Sequence, residues 1–259
     1  DIASQGYTHL LPVQKKRSRN PGDSKEMVAA RRRFLNAGHY QPIAAAVSRA
    51  ALADLAPGAT ASCLDAGCGE GYYLRQLAAA TSDLKTLALL GLDISKWAIL
   101  SAAKQDQRPN WVVGSNANLP VLPGTLDRVL CMFGFPVYAE FARVLKPDGQ
   151  LLQVDAGPEH LRELREIIYP TLKPERTADV QAPEGFTHLS TETVRYPLNL
   201  TGPEQIADLL AMTPHLYRAS AEGRAKAAAL TALSVTVEVR LTRFLARGHS
   251  HADSGTVQL

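Results

Sequence analysis

Apolar positions recur at three- and four-residue spacing through "DSKEMVAARRRFLNAG" (23–38), which predicts a helix. Asp23 or Ser24 can cap its start, Glu26 lies in the first turn, and Gly38 can stop it. "YQPIAAAVSRAALADLAPG" (40–58) predicts a second helix that ends at Pro57–Gly58. The rhythm then changes. Short apolar runs, "ASCLDAG", "TLALLGLDI", "WVVGS", "LDRVLCMFG" and "GQLLQVDA", read as strands. Helices predicted over 70–80, 95–105, 137–145 and 158–169 separate or follow them, with a loop carrying Pro120 and Pro123 before the fourth run. Strands alternating with helices imply an α/β fold, with a mostly parallel sheet covered on both faces. Beyond Pro170 the alternation breaks. "GFTHLSTETVRYPLNL" has the period of an antiparallel strand, "GPEQIADLLAMTP" a short helix, and "ALSVTVEVRL" a last strand rich in β-branched residues.

The 259 residues are 46% hydrophobic, enough for one sizeable core. The expected division is an N-terminal basic arm and helical extension over 1–57, a catalytic domain over 58–245 and a flexible polar tail over 246–259. Net charge is +3, but residues 1–50 alone carry +6 and the rest −3. Such asymmetry points to a polyanionic partner. Lys15, Lys16, Arg17 and Arg19, in a loop before the turn-forming "NPGDS", are the candidate phosphate contacts. Arg31, Arg32 and Arg33 are read as a solvated helix face, because helical twist points three neighbours in different directions. Three cysteines make no disulfide framework. There is no 18-residue apolar run and no signal-like start, so the expectation is a cytoplasmic protein with no membrane partner. The chain begins at Asp1 without a methionine, and truncation, processing or unlisted residues would each account for that.

"LDAGCGEGYY" (64–73) carries the chemistry. A strand ends at Asp65, a glycine turn follows and a helix begins, so the backbone can approach a ligand closely. A dinucleotide fingerprint starting at Gly67 would need glycine where Tyr72 stands. Glu70, at the helix entry, would repel a pyrophosphate there. The loop therefore suits a nucleoside without a diphosphate, an ordinary glycine-rich turn being the alternative. Asp93, ending the next strand, can accept both ribose hydroxyls; capping the following helix is its alternative role. Ile94 can pack on the base of such a nucleoside. No zinc-spaced Cys/His set, nucleophile elbow or Walker lysine is present, and His249 and His251 lie in the tail.

D-x-G-x-G-x-G resembles the S-adenosylmethionine loop of class I methyltransferases, whose fold is a Rossmann-like sheet with an antiparallel last strand. The resemblance implies that Asp65 holds the methionine ammonium and that Gly67 and Gly69 lie under the ribose and methionine. It implies that the base beside Ile94 is adenine and that Ser115 and Asn116 of "GSNANLP" meet its edge, Ser115 standing where many relatives have Asp. "CMFGFPVY" does not match the [D/N]-P-P-[Y/F] motif of exocyclic-amine methyltransferases, and leaves Phe133 and Phe135 as stacking surfaces or core.

The flanks are more particular. "GYTHLLPVQKKRSRNPGDSKEMVAARRRFLNAGHYQPI", "DAGCGEGYY", "DISKWAI", "GPEHLREL" and "MTP" together resemble the bacterial 23S rRNA (guanine-N1)-methyltransferases over most of the chain. The resemblance implies methylation of guanine N1 in a 23S rRNA hairpin loop, and adds Tyr40, Gly69, Glu70 and His160 as cofactor contacts. In that family a zinc ribbon precedes the "LLPVQ" segment; its ligands are absent here, so zinc is expected only upstream. A homodimer is left open. Asp155 is the weak candidate for a catalytic base, and no other catalytic residue is named. Two alternatives stand beside this reading: a class I methyltransferase acting on a small molecule, and a macrolide-resistance relative that methylates a neighbouring guanine.

Overall fold

The computed structural model describes residues 2–11, 20–56, 58–81, 86–173 and 181–248. The chain opens with a three-residue strand β1 (Tyr7–His9), then α1 (Lys25–Asn36) and α2 (Gln41–Leu52). Ser24 caps α1, its side chain accepting the Met27 N–H at 3.2 Å, and a proline in the first turn of α2 supplies a backbone angle already suited to a helix. The alternating part runs β2 (Thr60–Ala66), α3 (Tyr72–Ala80), β3 (Thr86–Asp93), α4 (Lys96–Gln105), β4 (Asn110–Val113), β5 (Leu126–Met132), α5 (Tyr138–Val144), β6 (Leu145–Ala156) and α6 (Arg162–Ile168). The chain closes with β7 (Phe186–Leu200), α7 (Pro203–Ala211), α8 (His215–Arg218), α9 (Ala221–Ala228) and β8 (Leu233–Ala246).

The sheet has eight strands in the order β1-β4-β3-β2-β5-β6-β8-β7. Strands β1 to β6 pair in parallel, and β8 runs antiparallel to both β6 and β7. One face carries a core that includes Phe34, Ile43, Leu77, Trp111 and Leu164; the other carries Phe141, Val144, Phe186 and Phe244. Apolar strands buried on both sides are what parallel pairing requires. Helices α1 and α2 contribute Phe34, Leu35, Tyr40 and Ile43 to the same core as the sheet. All three cysteines are buried and free.

Strand order reverses around β2, between β3 and β5. In open α/β sheets that reversal leaves a crevice at the carboxyl ends of the strands, where ligands sit. Trp111 of β4 fixes the floor beside it. A Cβ on Gly91 or Gly71 would overlap its ring, and Gly71 also holds φ +87, which starts α3. The third glycine of the turn thus serves packing. Two boundaries differ from the sequence expectation. Helix α6 begins at Arg162 rather than at 158, because Leu161 sits in the left-handed region (φ +54) and breaks the regular turn. His160 therefore lies in the turn before the helix. Strand β1 has no sequence expectation, since it exists through pairing with β4. Among the described residues, no helix is long and apolar enough to cross a membrane.

Candidate cofactor and acceptor site

At the carboxyl ends of the strands lies a cavity of about 810 Å³. Asp65, the last residue but one of β2, lies fully buried just behind Ala66 and Gly67, which line the cavity, and neither of its carboxylate oxygens has a hydrogen-bond partner. Burial first, and the nearby Asp93 charge second, push its carboxyl up to about 8. A buried acid without a donor is costly, so this position awaits a cationic or donating group. Gly67 and Gly69 follow at φ +86 and +58, a backbone any side chain would strain. The N–H groups of Gly67 and Cys68 both donate to the Leu92 carbonyl, tying the turn to β3.

Asp93 ends β3. Its carboxylate accepts the Gly69 N–H and the Ser95 N–H, each at 2.9 Å. Burial raises its pKa, and those two bonds oppose the rise. Each oxygen keeps a further lone pair, enough for a pair of hydroxyls. Asp93 thus both braces the turn and faces the cavity. Ile94 lines the wall at 38% exposure. Ser115 and Asn116 line the next loop; the Ser115 hydroxyl accepts the Ala117 N–H, while the Asn116 Oδ1 is buried and unpartnered.

Tyr40, Phe133 and His160 form an aromatic wall, with ring centroids 6.1–6.4 Å apart. The His160 Nδ1 accepts the Glu238 backbone N–H, so its proton is on Nε2. Burial drops its pKa to about 4, which keeps the ring neutral near pH 7. Burial also raises the Tyr40 phenol.

Glu70 lines the cavity, but its carboxylate is turned into structure. It pairs with Arg75 at 2.9 Å, and accepts the Tyr72 N–H and the Gln105 side chain. Its charge is compensated, which corrects the sequence argument that Glu70 would repel a diphosphate. Asp155, at the end of β6, lines the opposite part of the cavity and accepts from Gln153, which in turn accepts from Tyr138. Phe133 (φ +53) and Phe135, 92% exposed, stand on the same side.

Sequence reasoning missed several residues that the fold brings here. Met212–His215 and Arg218 line the cavity from far along the chain, with only the "MTP" of the family resemblance as a signal. Arg31 lines it too, paired to Asp23 at 3.0 Å, and Arg33 makes a two-point contact with Asp208. For Arg31 the expectation of a solvated face is overturned, its side chain being only 28% exposed; Arg32 and Arg33 remain exposed, as expected, although α1 packs against α7. Lys15, Lys16, Arg17 and Arg19 lie outside the described residues. On either side of them, the Leu10 N–H bonds the Val113 carbonyl and the Ser95 hydroxyl bonds the Asp23 carbonyl, both beside the cavity.

The orphaned Asp65 and Asn116 oxygens, the glycine turn and Asp93 fit S-adenosylmethionine. Among the described residues no group of three or more His, Cys, Asp or Glu side chains is arranged to hold a metal ion. The sheet order and the cavity at its switch point define a class I methyltransferase. Residues 63–149 match a family model described as a methyltransferase domain. The fold is also that of the YcgJ protein of Bacillus subtilis, with a TM-score of 0.50 at 20% identity, covering 81% of this chain and 99% of that one. A protein of Micromonospora griseorubida named for 23S rRNA (guanine-N1) methyl transfer is 35% identical, over 94% of this chain and 86% of that protein. The 23S rRNA (guanine(748)-N1)-methyltransferase of Streptomyces fradiae is 31% identical, over 83% and 75%. The chain belongs to the 23S rRNA (guanine-N1)-methyltransferase family.

Proposed function

We propose that this protein methylates N1 of a guanine in a hairpin loop of 23S rRNA, using S-adenosylmethionine. The observation that carries the reading is one continuous cavity with two unlike halves. One half is lined by the glycine turn and Asp93, with the orphaned Asp65 buried directly behind Ala66 and Gly67; the other holds Phe133, the exposed Phe135, Asp155 and Arg218. Family membership supplies the chemistry of the acceptor.

Asp65 takes the methionine ammonium, and Gly67 and Gly69 lie against the ribose and methionine. Asp93 accepts the ribose hydroxyls, Ile94 packs on the adenine, and Ser115 and Asn116 meet its edge. Tyr40 and His160 close the methionine end, and Glu70 holds the turn in shape through Arg75. The cofactor supplies an electrophilic methyl group that needs no further activation. The protein's work is therefore alignment and exclusion of water. Guanine N1 inside a paired stem is out of reach, so the base is met in a loop or turned out of its stack. Phe135 offers it an aromatic face. The N1 proton must leave as the methyl arrives, and Asp155 is within the cavity to accept it; water or a substrate group is the alternative acceptor. Lys15, Lys16, Arg17 and Arg19 grip phosphates beside the cleft. Residues 58–245 form the methyltransferase domain, and the N-terminal extension contributes Arg31 of α1 and Tyr40 at the start of α2 to its cavity.

A methyl on N1 blocks Watson–Crick pairing and stops reverse transcription. Primer extension on 23S rRNA from a strain with and without the gene should show one gene-dependent stop at a hairpin-loop guanine. Identical profiles would refute the proposal.

A further inference from the structure

We propose that Arg31 anchors the carboxylate of the cofactor's amino-acid end, opposite the ammonium that Asp65 receives. The inference rests on S-adenosylmethionine being the cofactor.

That end is a zwitterion. The residues read from the sequence supply Asp65 for its cation, and no partner for its anion. Arg31 and Arg218 are the lysine or arginine residues among those that line the described cavity. Burial lowers the pKa of both cavity histidines, His160 and His215, so neither offers a full charge near pH 7. The two arginines serve different places. The charge of Arg218 is felt at Tyr169 and His215, toward the acceptor side. The charge of Arg31 is felt at Asp93 and Tyr40, the two residues that bracket the cofactor half.

The position of Arg31 is well defined. Its Nη1 lies 3.3 Å from where a Cβ on Gly69 would sit, so the guanidinium lies directly over the glycine turn. Its Nη1 pairs with Asp23 at 3.0 Å, and its Nη2 donates to the Met212 carbonyl at 3.2 Å. A guanidinium has five N–H donors in a planar fork that matches a carboxylate. These two bonds leave donors for a second acid. They also hold the side chain in place, which lowers the ordering cost of binding. Helix α1 is capped by Ser24 and packs against α7.

Calorimetry with two ligands separates an anchor from a strut. S-adenosylhomocysteine has the carboxylate; its decarboxylated analogue keeps the ammonium, ribose and adenine and lacks it. Wild-type protein should prefer the first. In Arg31→Ala, S-adenosylhomocysteine should bind about 10- to 100-fold more weakly, the range expected for losing a charge-assisted bond. The analogue should bind within about twofold of wild type, and Arg31→Lys should recover part of the loss. An equal loss for both ligands would make Arg31 a structural strut and overturn the proposal, as would no loss for either. If Arg31→Ala does not fold, the same ligand comparison in Arg31→Lys decides: a loss confined to the carboxylate ligand supports the anchor, and any other pattern overturns it. Wild-type protein that binds neither ligand would instead sink the cofactor assignment itself.

Discussion

Asp65 makes the unliganded protein resist its own base-side ionisation, and the size of that effect can be worked out. In an unfolded chain its carboxyl titrates at the ordinary 3.8; buried without a donor it titrates at about 8. The folded state thus holds a proton that the unfolded state has released. Stability contributed at this site is undiminished below pH 3.8, falls as pH rises, and levels off above about 8. pH 7 lies about three units above the unfolded value of 3.8 and below the folded one, and each unit is worth about 1.36 kcal/mol. The penalty is on the order of 4 kcal/mol, a large part of the 5–15 kcal/mol that holds a typical domain together. Asp65→Asn removes the ionisation and keeps the shape. Urea unfolding should find the variant more stable than wild type at pH 7 by a few kcal/mol, with the gap closing toward pH 4. The same variant should bind S-adenosylmethionine much more weakly, because it no longer offers the ammonium an anion. A stability gap equal at both pH values would show that the folded carboxyl takes up no proton, and would refute the reasoning.

Three further outcomes follow from the same geometry. Asp93→Ala should reduce cofactor binding at least tenfold by calorimetry, since each charge-assisted bond to the ribose is worth about 1.5–3 kcal/mol; it should also cost some thermal stability, because Asp93 holds the Gly69 and Ser95 amides. Removing the charges of Lys15, Lys16, Arg17 and Arg19 together should flatten the plot of log binding constant for RNA against log salt by about 2.8, with cofactor affinity unchanged; an unaltered slope would make the arm a solvated loop. Asp155→Asn should lower the single-turnover methylation rate by less than the roughly 100-fold expected on losing a general base, and a larger drop with loss of a carboxylate-like limb in the pH profile would make Asp155 that base.

The central strands were legible because each is a short apolar run closed by a glycine, an acid or a proline, and burial on both faces demands that pattern. Asp65 and Asp93 were legible for a related reason: a polar residue ending such a run has only the crevice to face. The parts that were not legible depend on chain segments meeting from a distance. Tyr7–His9 is a strand only beside β4. Leu161 in its left-handed turn carries no local signal, since leucine is among the least expected residues there. Arg31 reads as one of three exposed cations until Met212, 181 residues away, and Asp23 draw its guanidinium to the cavity, while Arg32 and Arg33 stay exposed. Glu70 reads as a free charge until Arg75, one turn later, neutralises it.

Trp111, seated between Gly71 and Gly91, has a consequence for how this sequence can drift over generations. Three positions on three different elements share one volume. Enlarging either glycine first drives a methyl group into the indole; shrinking the tryptophan first empties the floor under the turn, a loss of several kcal/mol. Neither order is free, so Trp111 and Gly91 are expected to change together or to stay as they are. Descendants that give up the tryptophan should be the ones that carry alanine or serine at position 91, whereas Gly71 should persist because its φ of +87 disfavours any side chain even with the indole gone.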